Sequence, residues 1–235
     1  MKLDQATVFI TGANRGLGLA FARATLARGA RKVYAAARDP SSVTLPGVVP
    51  IRLDVTKPED VAAAALECGD VTLLINNAGI AAAGGFLAED AAAAAQRHLD
   101  TNFFGPLRLT QAFAPILAAN GGGAILNVLS VVSWISGSLL GNYGMSKSAA
   151  WALTNGTRIE LAAQKTQVLA LHVGFIDTDL TSGFDVQKST PDAVVRTSLD
   201  ALEAGAHEVL ADEITRQVHA GLSASPAVYL QDITR

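Results

Sequence analysis

The sequence predicts an α/β protein: one doubly wound parallel sheet with helices on both faces, residues 1–235 forming a single domain. Three observations lead there. Short apolar runs alternate with stretches of helical periodicity along the whole chain. The apolar runs are continuous rather than alternating, as strands buried on both faces require. A glycine-rich turn joins the first strand to the first helix, where such sheets open their ligand crevice.

Each element follows from local residues. Ala6 to Thr11 is an apolar run ending at a glycine, hence a buried strand. From Gly16 to Arg28 the positions Leu17, Ala20, Phe21, Ala24 and Leu26 keep helical spacing, and Gly29 stops the helix. Lys32 to Ala37 and Val48 to Val55 are the next strands, and Pro58 to Leu66 is a helix with proline in its first turn. Val71 to Asn76 is a strand. A long alanine-rich helix follows from Ala88 to Ala118, with a break expected near Gly105-Pro106. Ala124 to Ser130 and Gln167 to Val173 are strands around a helix from Tyr143 to Ala163. Pro191 to Ala204 is helical and Glu208 to Ala211 is a last short strand. No linker or repeat divides the chain, and the alanine runs 62–65 and 91–95 are helix formers.

Composition bounds the function. Half the residues are apolar, enough for a large core, and the net charge is −3 with no basic cluster. That argues against nucleic-acid and membrane-surface partners. The segment from Leu109 to Lys147 lacks charge before its lysine, but Pro115, three consecutive glycines and several serines break it, so it is not expected to span a membrane. The N-terminus lacks a signal-peptide layout, and the single cysteine, Cys68, fits a reducing compartment; a cytoplasmic location is expected. His98, His172, His207 and His219 show no metal-ligand spacing, so no metal is expected, and His172 reads as a core residue.

Two motifs carry chemistry. Thr11-Gly12-Ala13-Asn14-Arg15-Gly16-Leu17-Gly18 lets backbone approach a pyrophosphate, which the following helix N-terminus attracts. Tyr143 and Lys147, four residues apart, share one helix face. A phenol has a pKa of about 10; a lysine cation beside it favours the phenolate and tunes it for acid–base work. Ser130 could hold a substrate oxygen beside it, and Ser133, Ser136 and Ser138 are alternative hydroxyls.

Together with Asn76-Asn77-Ala78-Gly79, Asn102 and Gly174-x-x-x-Thr178, these motifs make the chain resemble a short-chain dehydrogenase/reductase from residue 11 to residue 178. The resemblance implies that Tyr143 is the general acid or base. It implies that Lys147 lowers the tyrosine pKa and bonds the nicotinamide ribose, that Ser130 orients the substrate carbonyl, and that Asn102 holds a water in a proton relay. It also implies cofactor contacts at Gly12, Asn14, Arg15, Gly16, Leu17, Gly18, Asp54, Val55, Asn76, Ala78, Gly79, Gly174, Ile176 and Thr178. Val173 stands where the family usually has proline, which loosens the turn.

The second strand ends at Ala37-Arg38 without a carboxylate, so Arg38 and Arg15 suit the 2′-phosphate of NADP(H) better than they suit NAD(H). Asp39 is the competing partner for Arg38. Val131, Val132, Trp134, Leu139, Leu140, Asn142, Phe175, Leu180 and Phe184 suggest an apolar pocket for a small hydrophobic ketone or aldehyde, with 178–190 as a lid. The expected activity is that of an NADPH-dependent carbonyl reductase, reversible as an alcohol dehydrogenase. A noncatalytic NADP-binding regulator is the alternative, and an epimerase or dehydratase is disfavoured by the short C-terminal part. The resemblance further implies a homodimer or homotetramer built on the long helices.

Overall fold

Apolar runs buried on both faces need helices on both faces, and the computed structural model, which describes residues 1–231, has that arrangement. Seven parallel strands lie in the order β3-β2-β1-β4-β5-β6-β7. They are β1 (Thr7–Thr11), β2 (Lys32–Ala37), β3 (Val49–Arg52), β4 (Leu73–Asn76), β5 (Ala124–Val128), β6 (Gln167–His172) and β7 (Glu208–Leu210). The helices are α1 (Gly16–Ala27), α2 (Pro58–Glu67), α3 (Ala91–Leu99), α4 (Gly105–Ala119), α5 (Gly141–Glu160), α6 (Pro191–Glu203) and α7 (Glu213–Gly221).

Alternation along each strand sorts the core into two layers. On one face Val8, Ile10, Leu73, Leu126 and Leu169 meet Leu17 and Phe21 of α1 and Val195 and Leu199 of α6. On the other, Phe9, Leu74, Ile125 and Val168 meet Val61 of α2 and Leu109, Phe113 and Leu117 of α4. Ala150 and Trp151 of α5 close that face over Leu129 and Ala170. The direction of winding reverses between β1 and β4, which opens a crevice at the carboxyl ends of those two strands.

Side chains lock this opening. Thr11 Oγ1 accepts from the backbone N–H groups of Asn77 at 2.9 Å and Ala78 at 2.8 Å. The Asn77 amide donates to the Thr11 carbonyl at 2.8 Å and the Gly12 carbonyl at 3.3 Å. Gly12 turns the chain with φ +64°. A Cβ on Gly18 would lie 2.1 Å from the Gly12 oxygen and 2.6 Å from Asn77 Nδ2, so α1 can approach the turn only with glycine there.

Three elements differ from expectation. The third strand is shorter, Val49–Arg52, because it is the sheet edge: Val49, Pro50 and Arg52 face solvent and only Ile51 is buried. The break in the long helix is a π-helical segment, Asp100–Phe104, which ends two residues before Pro106. Pro106 has no N–H for the carbonyl of Asn102, and the Gly105 N–H bonds back to the Asp100 carbonyl, five residues earlier. Gly105 sits against β3's exit, where a Cβ would come 2.9 Å from Val55 Cγ2. The sequence reading passed over α7. Its signals were the Asp212 cap, which accepts from the Thr215 N–H at 2.9 Å, and the apolar pair Ile214 and Val218.

Among the described residues no helix is long and apolar enough to cross a membrane. Replacing Gly18 by alanine should lower unfolding stability by about 3 kcal/mol through overpacking. A urea midpoint shift at constant m-value reads this; a loss under about 0.5 kcal/mol would show that the turn can yield.

Candidate active site

The crevice collects its side chains from the ends of β4 and β5 and from two helices. The π-helical segment turns Asn102 inward, as such segments often do at functional sites. Its Oδ1 accepts from the Ile80 N–H at 2.9 Å, and its Nδ2 donates to the Ile80 carbonyl and to Ser146 Oγ, each at 2.9 Å. Ser146 in turn donates to the Tyr143 carbonyl at 2.7 Å. A Cβ on Gly79 would meet Asn102 Oδ1 at 3.2 Å and Lys147 Nζ at 3.8 Å, so the loop after β4 lies directly beneath both.

Ser130 leaves β5 and caps a single turn, Val131–Ser133, accepting from the Val132 N–H at 3.4 Å. Tyr143 and Lys147 project from α5 one turn apart, with Lys147 Nζ 5.8 Å from the phenol ring centre. The ammonium donates to the Val128 carbonyl at 2.8 Å. His98 lies edge-on to the phenol at 6.3 Å between centroids. Asn102, Ser130, Tyr143 and Lys147 therefore stand together, as the sequence reading expected.

Burial acts on the proton affinities of both groups. It pushes the Tyr143 phenol up to about 12, against the opposing pull of the Ser130 hydroxyl. Burial also pushes the Lys147 ammonium down to about 8. Both groups lie in a poorly solvated corner, and desolvation there penalises each charged form.

The other expected residues divide. Gly12, Asn14, Gly16, Leu17 and Gly18 form the turn, and α1 begins at Gly16 without a side-chain cap, so its first N–H groups remain for a ligand. Thr178 closes over this turn: a Cβ on Gly16 would lie 3.5 Å from its methyl group. Gly174 donates its N–H to Asp212 Oδ2 at 2.7 Å, which ties the loop after β6 to the cap of α7. Ile176 bridges to Ser189, which pins the base of the 178–190 segment. Val55 is buried, and Asp54 bonds the Thr56 hydroxyl and N–H at 2.7 and 3.0 Å. Asn76 lies in the sheet, its Nδ2 bonding Asn127 Oδ1 at 2.8 Å, so its side chain contributes to a buried network with Thr154.

Two arginines behave differently. Arg15 pairs with Asp179 at 3.0 Å, both largely exposed. Arg38 is exposed at the tip of β2, and the Asp39 carboxylate beside it is taken by the Ser41 N–H at 2.9 Å and hydroxyl at 2.7 Å.

Among the expected pocket residues, Val132 and Leu140 pack with Tyr143. Phe175 and Phe184 touch, ring centres 5.3 Å apart, and Leu180 is exposed. Trp134 packs in the same cluster as Val132, Leu140 and Tyr143, and its ring stacks on His172 and meets Trp151. A separate cavity of about 370 Å³ opens between Phe86, Leu87, Ser136, Ser138 and Gly141. The sequence reading missed Phe86 and Leu87, whose apolar character in a glycine-rich loop was the available signal. It also missed the roles of Thr11 and Asn77.

The chain is similar to known proteins along most of its length. The family model described as short chain dehydrogenase matches residues 6–189. The crystal structure of a short chain dehydrogenase from Burkholderia cenocepacia in complex with NADP has a TM-score of 0.92 at 38% identity, covering 96% of each chain. Galactitol 2-dehydrogenase (L-tagatose-forming) of Cereibacter sphaeroides is 35% identical over 77% of this chain and 75% of its own. Short chain dehydrogenase tazN of Aspergillus terreus is 32% identical over 78% of this chain, which spans only 44% of that relative's length. With a family model matching from β1 to the segment before α6, this chain belongs to the short-chain dehydrogenases/reductases, a family of oxidoreductases.

Proposed function

We propose that the chain transfers a hydride reversibly between the nicotinamide of NADP(H) and the carbonyl carbon of a small hydrophobic ketone or aldehyde, and that residues 1–235 act as one unit in doing so. The observation that carries this is the Tyr143 phenol, hydrogen-bonded by the Ser130 hydroxyl, with the Lys147 ammonium 5.8 Å from its ring centre.

The chain's own residues suit the dinucleotide. The room that Gly18 leaves at the turn and the bare N-terminus of α1 suit a pyrophosphate held by Gly12, Asn14, Gly16 and Leu17. Arg38 is free of Asp39, which favours a 2′-phosphate, and Arg15 joins it on exchanging Asp179 for the phosphate. Asp54 and Val55 face the adenine end, Ala78 and Gly79 the floor, and Gly174, Ile176 and Thr178 the carboxamide end. The NADP held by the Burkholderia cenocepacia relative supports the same choice. When bound, the dinucleotide supplies or accepts the hydride.

The protein supplies the proton. With a pKa near 12 the phenol is protonated at neutral pH, the form a donor to the carbonyl oxygen needs during reduction. Ser130 orients that oxygen, and the Lys147 cation stabilises the phenolate left behind. Asn102 holds the strand-end backbone at Ile80 and the Ser146–Tyr143 contact in register. Val132, Leu140, Phe175 and Phe184 favour an apolar substrate over a phosphorylated one.

The groove of about 670 Å³ along the outer faces of α4 and α5 supports a homo-oligomer. Ala149, Ala152 and Gly156 line it and allow close helix approach. Gly156→Arg should convert the assembly to monomer in light scattering; a wild-type monomer at micromolar concentration removes this part of the reading.

The decisive assay follows NADPH and NADH oxidation against apolar ketones and aldehydes. Wild type should favour NADPH by about tenfold or more in kcat/KM. Tyr143→Phe should lose turnover by about a thousandfold while binding NADPH normally. Undiminished turnover in that variant would sink the acid–base assignment, and an NADH preference would sink that of Arg38.

A further prediction concerns stability. Lys147 titrates at about 8 when folded, against 10.5 ordinarily, so the folded state binds fewer protons across that window and gains stability as pH rises through it. Lys147→Met should therefore melt several degrees higher at pH 7, consistent with a relief of about 3 kcal/mol. The gain should fade as pH passes from about 8 to 10.5. An equal or lower melting temperature at pH 7 contradicts the burial argument.

A further inference from the structure

One buried polar group has no part in the chemistry above. His172 ends β6 with no solvent exposure. Its Nδ1 lies 3.4 Å from the Ser130 carbonyl oxygen. Its Nε2 lies 3.3 Å from Glu208 Oε1, at the start of β7. The second oxygen of Glu208 lies 3.6 Å from His219 Nε2, on the half-exposed face of α7. The ring face is covered by the Trp134 indole, 3.9 Å between centroids and 21° from parallel.

Ser130 and Trp134 are the two ends of the single turn that follows β5. His172 touches both, Ser130 through the ring edge and Trp134 through the ring face. The turn is also held by the Val131 N–H, which bonds the Val173 carbonyl just after β6 at 2.9 Å, and by Ser148 Oγ of α5, which donates to the Ser133 carbonyl at 2.8 Å. The Ser130 carbonyl already accepts the Ser133 N–H within the turn at 3.0 Å, so the ring nitrogen adds a second contact that reaches it from another strand. The ring thus lies between an oxygen whose position matters for the site and a carboxylate reachable from the surface.

We infer that His172 is a positioning residue: its Nδ1 contact holds the Ser130–Trp134 turn so that the Ser130 hydroxyl stays beside Tyr143, and Glu208 sets the ring's orientation. This rests on the assignment of Ser130 and Tyr143 proposed above. It also gives a role to the face of Trp134 that stacks on the ring.

Asparagine and glutamine separate the two contacts. An asparagine amide reaches the place of Nδ1 and a glutamine amide that of Nε2. His172→Asn should keep kcat within about threefold of wild type, while His172→Gln should lower it about tenfold or more. NADPH affinity and KM should change less than about twofold in both, since a misplaced Ser130 acts on the chemical step. Hydrogen exchange of residues 129–135, which needs no substrate, should stay at wild-type protection in the asparagine variant and quicken about tenfold in the glutamine variant. Equal behaviour of the two variants in both readouts, tracking their melting temperatures, overturns the inference and leaves His172 a packing residue. Should neither variant fold, Glu208→Gln carries the exchange test: faster exchange at 129–135 supports the clamp, and unchanged exchange overturns it. Tyr143→Phe, assayed in parallel, keeps the two readings apart. If it retains turnover, the proposed chemistry fails, and hydrogen exchange alone decides the role of His172.

Discussion

The hydrogen bonds between Thr11 and the Asn77-Ala78 backbone hold the rest of the site in place. A doubly wound sheet must part its loops where the winding reverses, and that gap would leave strand-end carbonyls and N–H groups without partners. One threonine hydroxyl and one asparagine amide satisfy several of them at once. In doing so they set the distance between the glycine turn after β1 and the loop after β4. Gly79, Asn102 and Lys147 are then placed by a short chain of contacts that starts at this closure.

The second constraint is desolvation. Lys147 is buried with one carbonyl partner and no carboxylate within ion-pair distance among the described residues. A lone buried cation is costly, so the sheet and α5 must be rigid enough to hold it there. The apolar layers on both faces, with Phe9, Phe113 and Leu117 fully buried, supply that rigidity. The same burial strengthens every polar interaction in the crevice.

Much of this was legible in the residues. Among the described residues, the apolar runs and helical spacing located the strands and every α-helix but α7. α7 escaped because its short, mostly polar stretch buries only Thr215 and Val218. The site's four side chains were legible from spacing along α5 and from the strand-end positions. Their proton affinities were not. A lysine one turn from a tyrosine suggests a lowered phenol pKa, but the outcome depends on how deeply both are buried, which many distant residues decide. Arg15 likewise looked free beside Arg38, and only the fold brings Asp179 from the segment after β6 to meet it. Trp134 read as a pocket wall because its neighbours in sequence are; its orientation is fixed by β6 and α7.

The π-helical segment between α3 and α4 has a consequence for how the chain can vary. Such a segment is equivalent to one extra residue carried inside a regular helix. Each residue turns a helix by about 100°, so losing one position between Asp100 and Phe104 would restore an unbroken α-helix. It would also rotate Asn102 away from Ile80 or swing α4 off Val55. The local backbone would become more regular while the crevice lost its floor. Length in this stretch is therefore held by the register between two packed faces, so one residue more or less here disturbs both, whereas an exchange on the solvent side of the same turns disturbs neither.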